Sequence, residues 1–163
     1  MQSSHIIIVS LLIANLSATI WFGVNKPVEV NRSSYQGELN SSLPSILNEN
    51  VRNSLYTNIK ENFNNRDYDA LYDVFGAASK AQMDKGEAIQ VFEKLASYFV
   101  KIIDGAYSNS EFISQRGDTK YYKLNYAIKL SEESKFGQSG TLTVTVAIRN
   151  DGYEVYAFKI NAG

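Results

Sequence analysis

The chain has 163 residues with 16 Lys and Arg, 17 Asp and Glu and a formal charge of -1, so it lacks the basic surplus that phosphate neutralisation requires, and nucleic acid is not an expected partner. It contains no cysteine, which excludes disulfides, thiol nucleophiles, zinc–thiolate sites and a lipid-modified cysteine. Its one histidine, His5, precedes an apolar run, so Ser–His and Cys–His chemistry and imidazole metal sites are absent from everything after that run.

Every charged side chain lies beyond residue 25. Residues 6–24 are almost wholly apolar, beginning at Ile6 and closing at Val24 just after Trp21 and Phe22. As a helix these residues would reach roughly 28 Å at 1.5 Å per residue, close to the hydrocarbon thickness of a bilayer. Three readings compete. A cleaved secretory signal would need a basic start and a small-x-small cut site, but Met1 to His5 carry no Lys or Arg, and Ala14, Ala18 and Gly23 follow Leu12, Leu16 and Trp21 two positions earlier. A buried helix of a soluble domain would leave the terminal Trp21–Phe22 pair unexplained, since aromatics cluster at membrane interfaces, although Ser10, Asn15, Ser17 and Thr19 dilute the run. An uncleaved anchor fits best. The expectation is a single-pass protein of the bacterial inner membrane, touching lipid through Ile6 to Val24, with its domain facing the periplasm or exterior and a secreted form as the alternative. Lys26 and Arg32 against Glu29 do not fix the orientation.

Residues 25–44 read as a flexible linker, rich in Asn and Ser and bounded by both prolines, Pro27 and Pro44. Two glycosylation triplets within it, at Asn31 and Asn40, match chance occurrence in such a stretch. There is no internal repeat.

A domain is expected over residues 45–163. Leu47, Val51, Leu55, Ile59 and Phe63 step by four and predict an amphipathic helix. Asn64, Asn65 and Arg66 break it. Asp67 then caps a short helix with Leu71, Val74 and Phe75 inward and Gly76 at its end. Asp84 and Glu87 form a capping-box pattern for a third helix, buried through Ala88, Phe92, Leu95, Phe99 and Ile102 and stopped at Asp104 and Gly105.

Beyond these the period is two. A weak strand is expected over 106–114 and a clear one over 119–130, with Tyr122, Leu124, Tyr126, Ile128 and Leu130 on the core face and Tyr121, Lys123, Asn125, Ala127 and Lys129 opposite. Over 141–149 Leu142, Val144, Val146 and Ile148 alternate with Thr141, Thr143, Thr145 and Ala147, and a last strand runs from about Tyr153 to Ile160. The final hairpin favours a three-residue loop, Asn150, Asp151 and left-handed Gly152, which sets Val146, Val144 and Leu142 opposite Tyr156, Phe158 and Ile160, with Ile148 facing Glu154. A two-residue loop would set Leu142 against Lys159.

The predicted class is therefore α+β: three N-terminal helices packed on a mainly antiparallel four-stranded sheet, preceded by a single apolar helix. Residues 65–75, 140–146 and 152–158 resemble the nuclear-transport-factor-2-like superfamily, in particular its small bacterial extracytoplasmic domains of unknown function. That resemblance implies a curved, cone-like sheet around the helices. The superfamily includes enzymes such as ketosteroid isomerase, with a carboxylate base, a Tyr and a protonated carboxylic acid in an apolar pocket, and a related layout occurs in scaffold subunits of type IV secretion machines. No position here matches a catalytic motif, so no catalytic, metal or cofactor residue is assigned and no cofactor is expected. Tyr72, Phe75, Tyr126 and Tyr156 are the candidate cavity-lining residues; for Tyr72 and Tyr126 a core aromatic with a satisfied hydroxyl is the competing reading. Asp69 and Asp73, four apart on one helical face, fit a solvated pair better than a raised-pKa dyad. The expected function is a membrane-anchored extracytoplasmic binding or assembly module without catalysis, with a protein partner or a homo-oligomer. The alternatives are a small-ligand-binding or isomerase- or hydrolase-like enzyme using Asp and Tyr, or a secreted soluble protein.

Overall fold

The computed structural model describes residues 43–162. The expected anchor and all but the end of the linker lie outside the described residues. Residues 43–162 form an α+β domain in which helical segments precede four antiparallel strands in one open sheet of order β1-β2-β3-β4.

After a 3-10 turn, Ser45–Leu47, Asn48 caps α1 (Glu49–Asn65) by accepting from the Val51 N–H at 3.1 Å. The four-step stripe becomes its buried face: Leu55, Ile59 and Phe63 are buried, Leu47 before it is fully so, and Val51 packs against them. Arg66 ends the helix in the left-handed conformation, φ 60°, where a glycine is usual. Asp67 caps α2 (Tyr68–Asp73) through the Ala70 N–H at 3.0 Å. A four-residue helix that the apolar spacing does not predict, α3 (Ala77–Lys80), follows Gly76. Asp84 then caps α4 (Lys85–Phe99), accepting from Gly86 at 2.8 Å and Glu87 at 3.4 Å.

α4 stops earlier than its sequence pattern implies. Val100 takes φ 55°, a left-handed value that a β-branched residue seldom adopts, and Ile102 already opens β1 (Ile102–Arg116) instead of closing the helix. Apolar spacing could not reveal this, because Ile102 is fully buried either way. Two side chains and one backbone group from elsewhere bear on the turn, beginning with Arg66, which donates to the Val100 carbonyl at 2.7 Å and to that of Ala96 at 3.4 Å, neutralising the negative end of α4. Asn64 imitates a neighbouring strand, donating to the Ile102 carbonyl at 2.8 Å and accepting its N–H at 2.9 Å. The Ser131 N–H donates to Lys101 O at 3.0 Å.

From there α1 runs back along the sheet. Asn64 meets Ile102, Tyr56 lies over Gly105, and Arg52 lies over the Tyr107 ring at 4.3 Å. The path is about 18 Å along the helix and about 17 Å along the strand, so helix rise and strand rise keep pace. Gly105 is required by that approach: a Cβ there would sit 2.7 Å from the Tyr56 hydroxyl and 2.8 Å from the Ala127 carbonyl oxygen.

β2 (Thr119–Leu130) and β3 (Ser139–Arg149) pair without interruption, Leu124 against Val144 and Tyr126 against Leu142. β1 departs from regular alternation three times, at Ile103, Ser108 and Ile113, each an extra residue with no partner on β2. β4 (Gly152–Ala162) corrects the hairpin expectation. The turn is the two-residue one, Asn150 and Asp151, with Arg149 paired to Gly152, and Asn150 rather than Gly152 carries the positive φ, 53°. Ile148 therefore faces Tyr153, and Val146 faces Val155. A bulge at Tyr156 then shifts the register, so that Val144 meets Phe158 and Leu142 meets Ile160 as the apolar pattern demanded. The match was specified by burial; the device is a bulge inside the strand, not an extra loop residue.

The core lies between helices and sheet. Phe75, Phe92 and Phe158, from the end of the α2 segment, α4 and β4, stack on one another with centroids 5.6 to 6.1 Å apart. Gly76 also donates to Val155 O at 2.9 Å, tying the α2–α3 connection to β4.

Asn64→Ala would leave both Ile102 backbone groups unpaired in a buried setting, and a loss of about 2–4 kcal/mol in urea unfolding is expected. Asn64→Asp keeps the acceptor and loses the donor, so it should fall between the wild type and the alanine variant in the same titration.

Candidate functional site

Alternation gives the sheet a second face, away from the helices, and its middle row crosses all four strands: Asn109, Asn125, Thr143 and Lys159 are in register. Three of them form a hydrogen-bonded chain. Thr143 Oγ1 donates to Asn125 Oδ1 at 2.9 Å, and Asn125 Nδ2 donates to Asn109 Oδ1 at 2.7 Å and to Glu111 Oε1 at 3.4 Å. These contacts use both ends of the Asn125 amide and fix which way it points. Thr143 is 5% exposed, well inside the range of core residues although it faces away from the core.

Beside this row a groove of about 310 Å³ opens, lined by Ser108, Asn109, Asn125, Ala127 and Thr141. Each lining residue has a local reason to be there. Asn125 and Ala127 alternate outward on β2, Thr141 does so on β3, and Ser108 is the extra residue of a β1 bulge, a device that re-aims side chains. The small Ala127 leaves the floor open. Along the same face Lys123 pairs with Glu111 at 3.7 Å. Farther on, the Tyr121 and Tyr156 rings meet edge to face at 5.5 Å, and Gln82 and the Tyr156 hydroxyl are 3.3 Å apart.

The four residues singled out from sequence fall in different places. Phe75 is in the stacked core trio. Tyr72, half-buried one turn earlier, donates its hydroxyl to Met83 O at 3.2 Å while Lys80 and Lys85 lie over its ring. Tyr126 is 1% exposed and donates to Arg52 O at 2.9 Å. Tyr156 is the bulge residue beside Tyr121. The structure brings Tyr72 and Phe75 onto neighbouring turns and sets Tyr126 among other rings. Asp69 and Asp73 are largely exposed and each holds a lysine, Lys85 at 2.7 Å and Lys80 at 3.2 Å. The hydrogen bond from Lys85 to Asp69 raises the lysine pKa above its usual value. Among the described residues no group of three or more His, Cys, Asp or Glu is placed to hold a metal ion, and no helix is long and apolar enough to cross a membrane.

A second aromatic group sits under β1. Tyr56 stacks on Tyr126 at 5.4 Å, and Tyr107 meets Tyr126 edge-on at 5.9 Å beneath the Arg52 guanidinium. The Tyr56 hydroxyl and Arg52 Nε are buried with no hydrogen-bond partner among the described residues. Burial, followed by the nearby Asp104 carboxylate, pushes the Tyr56 pKa up to about 12, and burial also raises that of Tyr126. Sequence periodicity marked Tyr126 as inward but gave no sign of Arg52 or Tyr56, because both are half-buried positions on a helix whose buried stripe is elsewhere. Asn125, Ala127 and Thr141 were legible as outward by alternation. Ser108 and Asn109 were not, since the bulge resets the alternation of β1.

No protein-family model matches the chain, and no curated protein matches it.

Tyr56→Phe removes a hydroxyl that has no partner and should change stability by no more than about 0.5 kcal/mol at neutral pH, whereas Tyr126→Phe loses the bond to Arg52 O and should cost about 1 kcal/mol. Both tyrosines have folded pKa values above their ordinary 10.0. Their neutral forms thus contribute stability that is complete below about pH 10 and is lost as pH rises from there, through about 12 for Tyr56 and higher still for Tyr126. In urea titrations across that window the Tyr56→Phe variant should lose stability less steeply than the wild type.

Proposed function

We propose that this chain is a membrane-anchored, extracytoplasmic binding or assembly module of the bacterial inner membrane whose working surface is the outward face of the sheet. Residues 6–24 sit in lipid in this reading, residues 25–44 form the tether, and the domain projects toward the periplasm or exterior, where a protein partner or a second copy meets it. The proposal further takes the sheet to be curved and cone-like in the manner of the nuclear-transport-factor-2-like superfamily; three bulges along β1, each bending its strand, support that curvature.

The observation that carries the reading is the division of the sheet. Its helix-facing side is occupied by packed side chains, Tyr126, Leu124, Val144 and Leu142 among them at 1% exposure or less. Its other side presents a groove, an oriented amide and an edge-on tyrosine pair. Thr141, Thr145, Ala127, Ala147 and Ala157 give that side short side chains over much of β2 to β4, suited to close approach by another surface, and Tyr121 and Tyr156 add apolar area with polar tips. The apolar run with its terminal aromatics supports the location.

A photo-crosslinking amino acid at Thr145, on the outward face, tests this in intact membranes, with the same group at exposed Gln90 of α4 as the control. Covalent adducts from position 145 and none from position 90 are the expected result. Recovery of the chain as a soluble monomer beginning near Gly23, with no adduct from either position, would remove both the anchor and the binding face.

A further inference from the structure

The open edge of β1 is the first place to look for a partner, since an unpaired strand invites another strand. Its three bulges divide the edge into short regular runs, four residues from Asp104 to Tyr107 and four from Asn109 to Phe112. That interruption, with Asp104 and Glu111 along it, is how natural sheets discourage strand addition. The groove beside Ser108 is different, because its chemistry is uniform and its central group is oriented in advance.

We infer that this groove is a binding site for a neutral, polyhydroxylated ligand, a saccharide chain; the inference rests on reading the outward face as a binding surface and names what one part of it recognises. All five lining residues are uncharged. A ligand ion entering among Ser108, Asn109, Asn125, Ala127 and Thr141 would lose hydration with no counter-charge from the lining. At the rim, Glu111 is engaged by Asn125 and Lys123, and Lys129 follows Ala127 on the same face, so the charges border the groove and do not line it. What the lining does offer is hydroxyl and amide chemistry. Serine and threonine hydroxyls each donate and accept, the Asn109 amide supplies donors, and the Ala127 and Thr141 methyls give the apolar contact that the C–H face of a sugar ring needs. A volume near 310 Å³ lies at the small end of ligand sites. Because the groove is open and not enclosed, it suits a segment of a chain that continues past it.

Thr143 is the positioning residue. It lies behind Asn125, almost fully buried, and its hydroxyl holds Asn125 Oδ1, so that Nδ2 points toward Asn109 and Glu111. Without that hydroxyl Glu111, an acceptor only, still selects the Nδ2 end of Asn125, but Oδ1 loses its partner and the chain that holds Asn109, whose amide supplies the donors, is loosened.

The experiment uses the full chain in a phosphocholine detergent, since glycosidic detergents would compete. The probes are the β-1,4-linked tetramer of N-acetylglucosamine, cellotetraose and maltotetraose as neutral chains, and the deacetylated glucosamine tetramer as a cationic chain of similar shape. Binding is followed by saturation-transfer NMR and calorimetry. Saturable binding of at least one neutral tetramer is expected, with affinity at least tenfold weaker for Ala127→Leu, which fills the floor, and three- to tenfold weaker for Thr143→Val, which keeps the shape and removes the hydroxyl. The cationic chain should bind more weakly than its acetylated counterpart. Thermal melts establish that each variant is folded, and Thr141→Val, a shape-conserving change on the groove wall, replaces any variant that is not. Absence of saturable binding by all three neutral chains, or affinity unchanged in the folded groove variants, overturns the inference; so does capture of an extended peptide by β1 with no saccharide bound. If the saccharides fail while position 145 still forms adducts in membranes, the site assignment falls and the binding-module reading stands. If both fail, both fall.

Discussion

The two residues between α4 and β1, Val100 and Lys101, are the constraint on which the arrangement turns. A helix ends and a strand begins there with almost no loop, through a valine in a conformation that ordinarily belongs to glycine. Such a backbone persists only when its surroundings over-determine it, and here they do: Arg66 holds the Val100 carbonyl, Ser131 the Lys101 carbonyl and Asn64 both backbone groups of Ile102. Two of these three come from the end of α1. The same contacts therefore stop α4, start β1 and set α1 against the sheet, and the lengthwise match of helix to strand from Asn64 to Arg52 follows from that fixed end. Arg66 itself takes a left-handed conformation, so the strain is distributed over two helix ends that face each other.

Once β1 is fixed at Ile102, the sheet has to keep an apolar face toward the helices over four strands, and it does so by insertion instead of perfect alternation. The extra residues at Ile103, Ser108, Ile113 and Tyr156 absorb mismatches between sequence and pairing. Tyr156 is the clearest case. The two-residue turn leaves Phe158 and Ile160 one place out of phase, and a single unpaired tyrosine returns both to the core, where Phe158 joins the stack with Phe75 and Phe92. The displaced Tyr156 ring is then available to Tyr121. Core packing thus decides the composition of the other face, including the serine that borders the groove.

That outward face combines two features. It has a polar row joined by hydrogen bonds, with a threonine as buried as a core residue, and it has a run of short side chains that leave the row accessible. Asn125 is fully engaged within the row, and what it leaves for a ligand is an ordered Asn109 amide, worth more than a mobile one because its side-chain entropy has already been lost in folding. The aromatic group beneath β1 works the other way: Tyr56, Tyr107 and Tyr126 are enclosed with Arg52 and support the strand from below, and the raised pKa values of Tyr56 and Tyr126 reflect that enclosure.

By itself the sequence determined the separation of an uncharged apolar segment from a charged remainder, the α+β class, the caps at Asp67 and Asp84, the stripe of α1 and the pairing of Val144 with Phe158, because periodicity and capping are local signals or follow from burial alone. It also marked Asn125, Ala127 and Thr141 as outward, which is most of the groove lining. Tertiary structure decided the rest. Where α4 ends depends on Arg66 and Asn64, more than thirty residues away, and a buried isoleucine serves either element equally well. Where β1 and β4 bulge depends on neighbouring strands, since an inserted residue leaves no trace in the residues around it until a partner fails to oppose it. The groove exists at the meeting of three strands with one of those bulges, so its residue types were readable one strand at a time while its geometry required all of them in register.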